Sequence, residues 1–173
     1  MVENNIQLID EVATALLESG ARLITAESCT GGLIASMITR ESGSSRVFGT
    51  GFVTYANSAK QQQLGVSPDT LTALGAVSEP VVIAMLQGAL ERSGADIGVA
   101  VSGIAGPGGA SDDKPVGTVW IAWGTAEDIR THRAVVSGSR ALFQNLVAAA
   151  GIDLMRRHLL GLSPLPHYFT RQA

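Results

Sequence analysis

The most constraining feature of the sequence is a nearly continuous apolar run between Asp96 and Ile104. Runs of this kind are typical of a central strand that is covered on both faces, because no alternate row of polar side chains is left to face water. Residues 97–103 are therefore predicted to form the middle strand of a sheet with helices packed on both sides.

Helical and strand patterns alternate along the rest of the chain. Apolar spacing and start or stop residues predict helices over residues 4–19, 29–40, 57–64, 78–92 and 139–160, with another helix start at Ser67. Short β-branched segments predict strands over 21–27 and 47–55, and a hairpin of 116–124 with 129–137. Together these patterns predict an α/β fold, a three-layer α/β/α sandwich around a mixed, mostly parallel sheet of about five strands.

Length and composition set further limits. The 173 residues suffice for one domain with a substantial core, which we assign to residues 1–161, while residues 162–173 with two prolines are expected to form an extended tail. Hydrophobic residues make up 46% of the chain and charged residues 16%, which excludes a disordered protein. The net charge of −3 and the absence of a basic block disfavour unspecific nucleic-acid binding.

Cysteine and histidine usage gives information about redox state and metals. The single cysteine, Cys29, excludes an internal disulfide and a Cys-rich zinc site, and it suits a reducing compartment. The three histidines lack metal-ligand spacing, so no metal site is predicted.

The start of the chain lacks a cationic segment followed by an apolar one, and no stretch approaches the ~18 apolar residues of a membrane span. We therefore expect a cytoplasmic protein with no membrane partner.

The segment from Thr25 to Gly32 lies where a predicted strand ends and a predicted helix begins. Ligands of open α/β sheets bind at such strand ends. Ser28 is a candidate nucleophile, with the amides of Thr30 and Gly31 as candidate oxyanion donors. A serine here is also a common helix N-cap, and that interpretation stays open. Cys29 is a second candidate nucleophile, although a lone cysteine usually behaves as a small buried apolar residue.

Two further segments lie at predicted strand ends. Tyr55 and Lys60 could face one cleft, and a desolvated lysine can act as the base for a serine hydroxyl. A surface lysine beside a half-buried tyrosine is the alternative. The stretch from Ser102 to Gly109 follows the central strand, and its glycines can form either an anion-binding nest or a flexible turn. It is not a Walker A loop, because no Gly-Lys-Ser/Thr sequence follows.

These segments, taken with their neighbours, resemble the C-terminal domain family of the competence/damage-inducible protein CinA, which also has a stand-alone bacterial form. The resembling blocks are TAESCTGGLIA (25–35), GSSRVFGTGFVTYANSAK (43–60), LGV (64–66), GAVSEPVV (75–82), SGIAGPGG (102–109) and KPVGTVW (114–120). They are collinear over nearly all of residues 4–150, which makes the signal specific.

The resemblance implies a metal-free and cofactor-free Ser/Lys amidohydrolase. Such an enzyme would hydrolyse the carboxamide of nicotinamide mononucleotide (NMN) to nicotinate mononucleotide and ammonia. Carried over residue by residue, Ser28 becomes the nucleophile, Lys60 the general base and Tyr55 a further catalytic residue. The implied substrate-binding residues are Thr30, Gly31, Asn57, Ser102, Gly103, Gly106 and Arg140.

The chain departs from the family pattern at two places. Ser102 stands where many relatives have threonine, and the Gly-Asp-Arg block of relatives, with a second arginine four residues later, is replaced by Gly138-Ser-Arg140 and Gln144. Two other functions stay open: another small-amide or nucleotide hydrolase on the same scaffold, and a non-catalytic CinA-like nucleotide-binding domain. We expect a small-molecule substrate and a homo-oligomer.

Overall fold

A computed structural model of the protein describes residues 2–170, and the side chains of residues 7–169. The helices are α1 Val2–Ser19, α2 Leu33–Thr39, α3 Asn57–Leu64, α4 Pro68–Leu74, α5 Glu79–Ser93, α6 Arg140–Leu159 and α7 His167–Thr170. The strands are β1 Leu23–Glu27, β2 Phe48–Val53, β3 Ile97–Gly103, β4 Thr118–Gly124 and β5 Ile129–Val135.

The strands form one sheet in the order β2-β1-β3-β4-β5, so the predicted central strand is confirmed. β1 pairs in parallel with both β2 and β3, whereas β4 is antiparallel to β3 and to β5. The predicted hairpin is therefore confirmed as well. Because β4 alone opposes the other strands of this sheet in residues 2–170, the prediction of a mixed α/β sheet that is mostly parallel is confirmed.

Helices cover both faces of the sheet and produce the predicted three layers. Val99 and Val101 of β3 pack into a cluster with α1, α2 and α6, whereas Ala100 packs with residues of α3, α4 and α5. Trp123 and Trp120 of β4 belong to these opposite clusters, as expected for residues three apart on a strand. None of the helices within residues 2–170 is long and apolar enough to cross a membrane.

The helix predicted from residue 29 begins at Leu33 instead, so that boundary is wrong. Gly31 and Gly32 have φ angles of +65° and +95°, in the left-handed region that only glycine adopts without strain. The chain therefore makes a turn directly after Ser28 and enters the helix four residues later than predicted. This turn separates the candidate nucleophile from the helix.

The tail also differs from its predicted extended form, because α7 provides a helical turn at its end. The Tyr168 hydroxyl donates a hydrogen bond of 3.0 Å to Asp153 on α6, and the Phe169 ring lies 4.5 Å from the ring of His132 on β5. Both aromatic residues line a cavity of about 810 Å³ between α1, α6 and the β4–β5 hairpin. The two prolines suggested an extended chain, but the aromatic side chains fold it back onto apolar surface. Residues 171–173 of the predicted tail lie outside the described residues.

Candidate active site

The carboxyl ends of three neighbouring strands bring the three candidate segments together. Ser28 directly follows β1, and its N–H donates to Val101 O of β3 at 3.0 Å. On the other side, Thr54 N donates to Glu27 O at 2.8 Å, which continues the β1–β2 pairing by one residue. Because β1 lies between β2 and β3, its end is the switch point at which α/β sheets commonly hold ligands.

Lys60 reaches this point from the first turns of α3 and is only 1% exposed. Its Nζ lies 2.9 Å from Ser28 Oγ, and it donates to Thr54 O at 2.7 Å and to Tyr55 O at 3.3 Å. A neutral amine has two N–H donors for the two carbonyls and one lone pair for the serine O–H. The three partners suit an ammonium that donates to all of them, and they equally suit the neutral amine that a general base requires.

Burial increases the fraction of Lys60 in the neutral form. Burial lowers the pKa of Lys60 from its usual 10.5 to about 8, and the neighbouring Cys29 acts in the opposite direction. With that pKa, about a tenth of the lysine is neutral at pH 7, whereas an exposed lysine is almost entirely charged. The alternative of an ordinary surface lysine is therefore wrong for Lys60.

The structure also separates the two candidate nucleophiles. Burial raises the pKa of Cys29 to about 12, although the backbone N–H groups of Cys29 and Thr30 partly oppose this effect. A thiol with this pKa stays protonated at neutral pH and is unreactive. The N-cap interpretation of Ser28 is wrong too, because the N-cap of α2 is Gly32 and the Ser28 hydroxyl is bonded to Lys60.

Glu27, which the sequence analysis did not single out, organises the turn after Ser28. Its carboxylate is fully buried and accepts four hydrogen bonds. The donors are Thr30 Oγ1 (2.6 Å) and the backbone N–H groups of Gly32 (3.1 Å), Ile34 (3.0 Å) and Ala35 (2.8 Å). A carboxylate that precedes a Gly-Gly pair and a helix could have been recognised as a cap, since negative charge is stabilised at helix N-termini.

These bonds limit which amides can meet a substrate. Gly31 N donates to Ser28 O at 3.1 Å, so the prediction that this amide receives an oxyanion is wrong. The Thr30 hydroxyl is directed to Glu27 and not to the pocket. The N–H groups of Cys29 and Thr30 approach the Cys29 thiol.

The opposite side of the site is formed by the start of α6 and the loop after β3. Arg140 donates to the Tyr55 hydroxyl at 2.7 Å and to Gly106 O at 3.1 Å. Tyr55 is 59% exposed, so this bridge lies at the mouth of the site, whereas Lys60 lies at its base. The Ser102 hydroxyl donates to Ala76 O at 2.8 Å and ties the end of β3 to the loop before α5.

A pocket of about 170 Å³ connects these groups. It is lined by Ser28, Cys29, Tyr55, Lys60, Ala76, Val77, Ser102, Gly103, Ala105 and Arg140. Gly106 contributes its carbonyl to Arg140, but Thr30, Gly31 and Asn57 are absent from the lining. Asn57 is exposed at the start of α3, and no contact in the structure supports its predicted role in substrate binding.

No metal-binding cluster contributes to the site. Over the part of the chain that the structure describes, no group of three or more His, Cys, Asp and Glu side chains is placed to hold a metal ion. The polar groups that line the pocket are two hydroxyls, a thiol, a phenol, an amine and a guanidinium.

The fold and site define an α/β domain that presents a serine and a buried lysine at the carboxyl ends of parallel strands. The family model described as the CinA C-terminal domain matches residues 5–159. The chain belongs to this family, and the resemblance stated from the sequence is confirmed.

Known proteins with similar sequences and structures agree with this assignment. Nicotinamide-nucleotide amidohydrolase PncC from Escherichia coli strain K12 is 49% identical over 157 residues, covering 90% of this chain and 94% of that protein. A CinA-like protein from Colwellia psychrerythraea is 46% identical, but the chain spans only 38% of its length. The crystal structure of competence damage-inducible protein A from Klebsiella pneumoniae has a TM-score of 0.88 at 38% identity, covering 92% of this chain and 99% of that one.

Proposed function

We propose that this protein hydrolyses the carboxamide of NMN to nicotinate mononucleotide and ammonia. The observation that carries the proposal is the contact of 2.9 Å between Ser28 Oγ and the buried Nζ of Lys60. A relative supports the choice of substrate: it is named nicotinamide-nucleotide amidohydrolase, and the match to this chain covers 94% of the relative's length.

The reaction begins with transfer of the Ser28 hydroxyl proton to Lys60 Nζ while Ser28 Oγ attacks the carboxamide carbon. Thr54 O and Tyr55 O hold the amine in place through its N–H groups, so its lone pair is directed at Ser28. The positive pyridinium ring of NMN disfavours a second positive charge nearby, so substrate binding lowers the pKa of Lys60 further. The tetrahedral intermediate collapses when Lys60 returns the proton to the departing nitrogen, which leaves as ammonia.

The second half of the reaction uses the same two residues. The first half leaves the nicotinoyl group as an ester on Ser28 Oγ. Lys60, neutral again, removes a proton from a water molecule that attacks this ester. Collapse of the second intermediate releases the carboxylate of nicotinate mononucleotide and restores the Ser28 hydroxyl. We assign the N–H groups of Cys29 and Thr30 to the developing oxyanion, because the other amides of the turn are bonded within it.

The phosphate of NMN is assigned to Arg140 and the loop from Ser102 to Gly109. Arg140 has planar N–H donors that suit a phosphate, and it lies at the exposed mouth of the pocket. Its present partners are a phenol and a carbonyl, which carry no charge and can be exchanged for the phosphate. We also retain the expectation of a cytoplasmic homo-oligomer as a prediction.

The test is direct measurement of both products. Purified protein is incubated with NMN, ammonia is quantified with a coupled enzyme, and nicotinate mononucleotide is identified by mass spectrometry. Equimolar formation of the two products is expected. A panel of other carboxamides then separates the alternatives: turnover of another amide with no turnover of NMN indicates a different hydrolase. Tight NMN binding without ammonia release indicates a non-catalytic nucleotide-binding domain.

A further inference from the structure

One side chain from a distant element holds the turn that carries Ser28. Gln144, on α6, donates from Nε2 to the carbonyl oxygen of Cys29 at 2.9 Å, across a sequence separation of 115 residues. The carbonyl belongs to the residue that directly follows the nucleophile. A neutral amide donor thus fixes the backbone one residue away from the reacting oxygen.

The other hydrogen bonds to the backbone around Ser28 come from within the turn or from the sheet. Ser28 N is fixed by Val101 O, and Ser28 O accepts from Gly31 N. Gln144 supplies the corresponding bond for the next peptide unit. In a trans peptide the N–H points away from the preceding carbonyl, so holding Cys29 O also sets the direction of the Thr30 N–H. One side chain therefore constrains both the position of Ser28 and a neighbouring backbone donor.

The helix that carries Gln144 also carries Arg140. The two residues are four apart and therefore share one face of α6. Phe143 lies between these two residues and Val147 lies after them. Both are only 1% exposed and anchor the helix in the core. The arginine at the pocket mouth and the amide that holds the nucleophile turn are consequently mounted on one rigid element.

We infer that Gln144 is a positioning residue for the hydrolysis, which rests on the proposed function. By holding the Cys29 carbonyl, it keeps Ser28 Oγ in line with Lys60 Nζ and fixes the turn relative to Arg140. Proximity and orientation can account for large rate factors, and small displacements of a catalytic group can lower turnover by about 100-fold. Gln144 does not line the pocket, so its loss affects the chemical step more than substrate binding.

Three variants and one control test this role. Gln144→Met removes the donor at similar length, and Gln144→Glu places an acceptor oxygen against the Cys29 carbonyl. Gln144→Arg restores a donor at the same place in the side chain, because arginine Nε is bonded to Cδ as glutamine Nε2 is. Asn145→Ala is the matched control, since that adjacent exposed side chain only bonds to Ala141 O within α6.

We expect kcat for NMN to fall by about 10- to 100-fold in Gln144→Met, with KM within about twofold of the wild-type value. Gln144→Glu is expected to lose more, Gln144→Arg to recover most of the activity, and Asn145→Ala to match the wild type. Hydrogen exchange followed by mass spectrometry should show faster exchange of residues 28–33 in Gln144→Met and normal exchange in Gln144→Arg, with similar Tm values throughout.

Several outcomes would overturn the inference. An unchanged kcat in Gln144→Met would remove Gln144 from the reaction, and an increase confined to KM would make it a substrate contact. Equal losses in the methionine and arginine variants would show that the donor is irrelevant. A wild-type protein that releases no ammonia from NMN would refute the proposed function instead, and the exchange of residues 28–33 would still report whether Gln144 holds the turn.

Discussion

Replacing Lys60 with methionine separates the catalytic role of the lysine from its effect on stability. Methionine has a similar length and no charge, so it can occupy the buried space that Lys60 fills. We expect turnover of NMN to fall by at least ~10³-fold, because Ser28 loses the base on which it depends. The fold should remain intact, since a buried charge at neutral pH is a cost and not a source of stability.

The size of the effect of Lys60 on the stability of the fold follows from its lowered pKa. Burial reduces the pKa of Lys60 from 10.5 to about 8, so between these values the unfolded chain binds a proton that the folded protein lacks. The stability of the wild type therefore rises with pH across this window. At about 1.4 kcal/mol per pKa unit, the lysine destabilises the fold by about 3 kcal/mol at pH 7 and by under about 1 kcal/mol at pH 10. The methionine variant has no such group.

Urea unfolding at several pH values measures the free energy of unfolding of the wild type and of Lys60→Met, and the difference between the two isolates the contribution of the lysine. The free energy of unfolding of the wild type minus that of Lys60→Met should increase by about 2.5 kcal/mol from pH 7 to pH 10. At pH 7 the two should be similar, because the variant leaves Thr54 O and Tyr55 O without donors at about 1–3 kcal/mol each. Lys114→Met, at the other lysine in the sequence, is the matched control for the change from lysine to methionine. A flat difference would mean that Lys60 is not held in a desolvated site, and the argument for a lysine base would fail.

Three further predictions concern the site. Ser28→Ala should lower turnover by ~10³-fold or more, and the Ser28→Ala/Lys60→Met double variant should be scarcely worse, because the two residues act as a unit. Additive losses in the double variant would contradict a shared proton transfer. The plot of log(kcat/KM) against pH should rise through a pKa near 8, since Lys60 must be neutral to accept a proton; a limb that persists in Lys60→Met would assign it to another group. Arg140→Ala should raise KM for NMN about 10-fold or more and leave KM for the phosphate-free nucleoside unchanged; an equal effect on both substrates would argue against a phosphate contact.

The arrangement of strands was accessible from the sequence because it follows from strong and simple patterns. Exposing the apolar run of residues 97–103 to water would be unfavourable, so the sequence predicts a strand at the centre of the sheet. Three polar or glycine-rich segments at predicted strand ends then indicated a common site. Ser28, Lys60 and Tyr55 do line one pocket in the structure.

The details that the sequence did not reveal depend on long-range contacts. The turn after Ser28 was predicted as helix, because local propensity does not show that Glu27 captures the amides of Gly32, Ile34 and Ala35. The bond from Gln144 to Cys29 O crosses 115 residues and has no local signature. The choice between Ser28 and Cys29 likewise required burial, which raises the pKa of the thiol and lowers that of Lys60.

The same contacts support one orientation of the proposed substrate in the pocket. The N-terminus of α2 would ordinarily attract a phosphate, but the buried carboxylate of Glu27 already occupies it and would repel a second anion. At the base of the pocket, Lys60 is almost fully buried, and a dianionic phosphate there would be costly to desolvate. Arg140 lies beside the exposed Tyr55, where a phosphate keeps contact with water. These constraints support the proposed orientation of NMN, with its phosphate at the mouth of the pocket and its carboxamide towards Ser28.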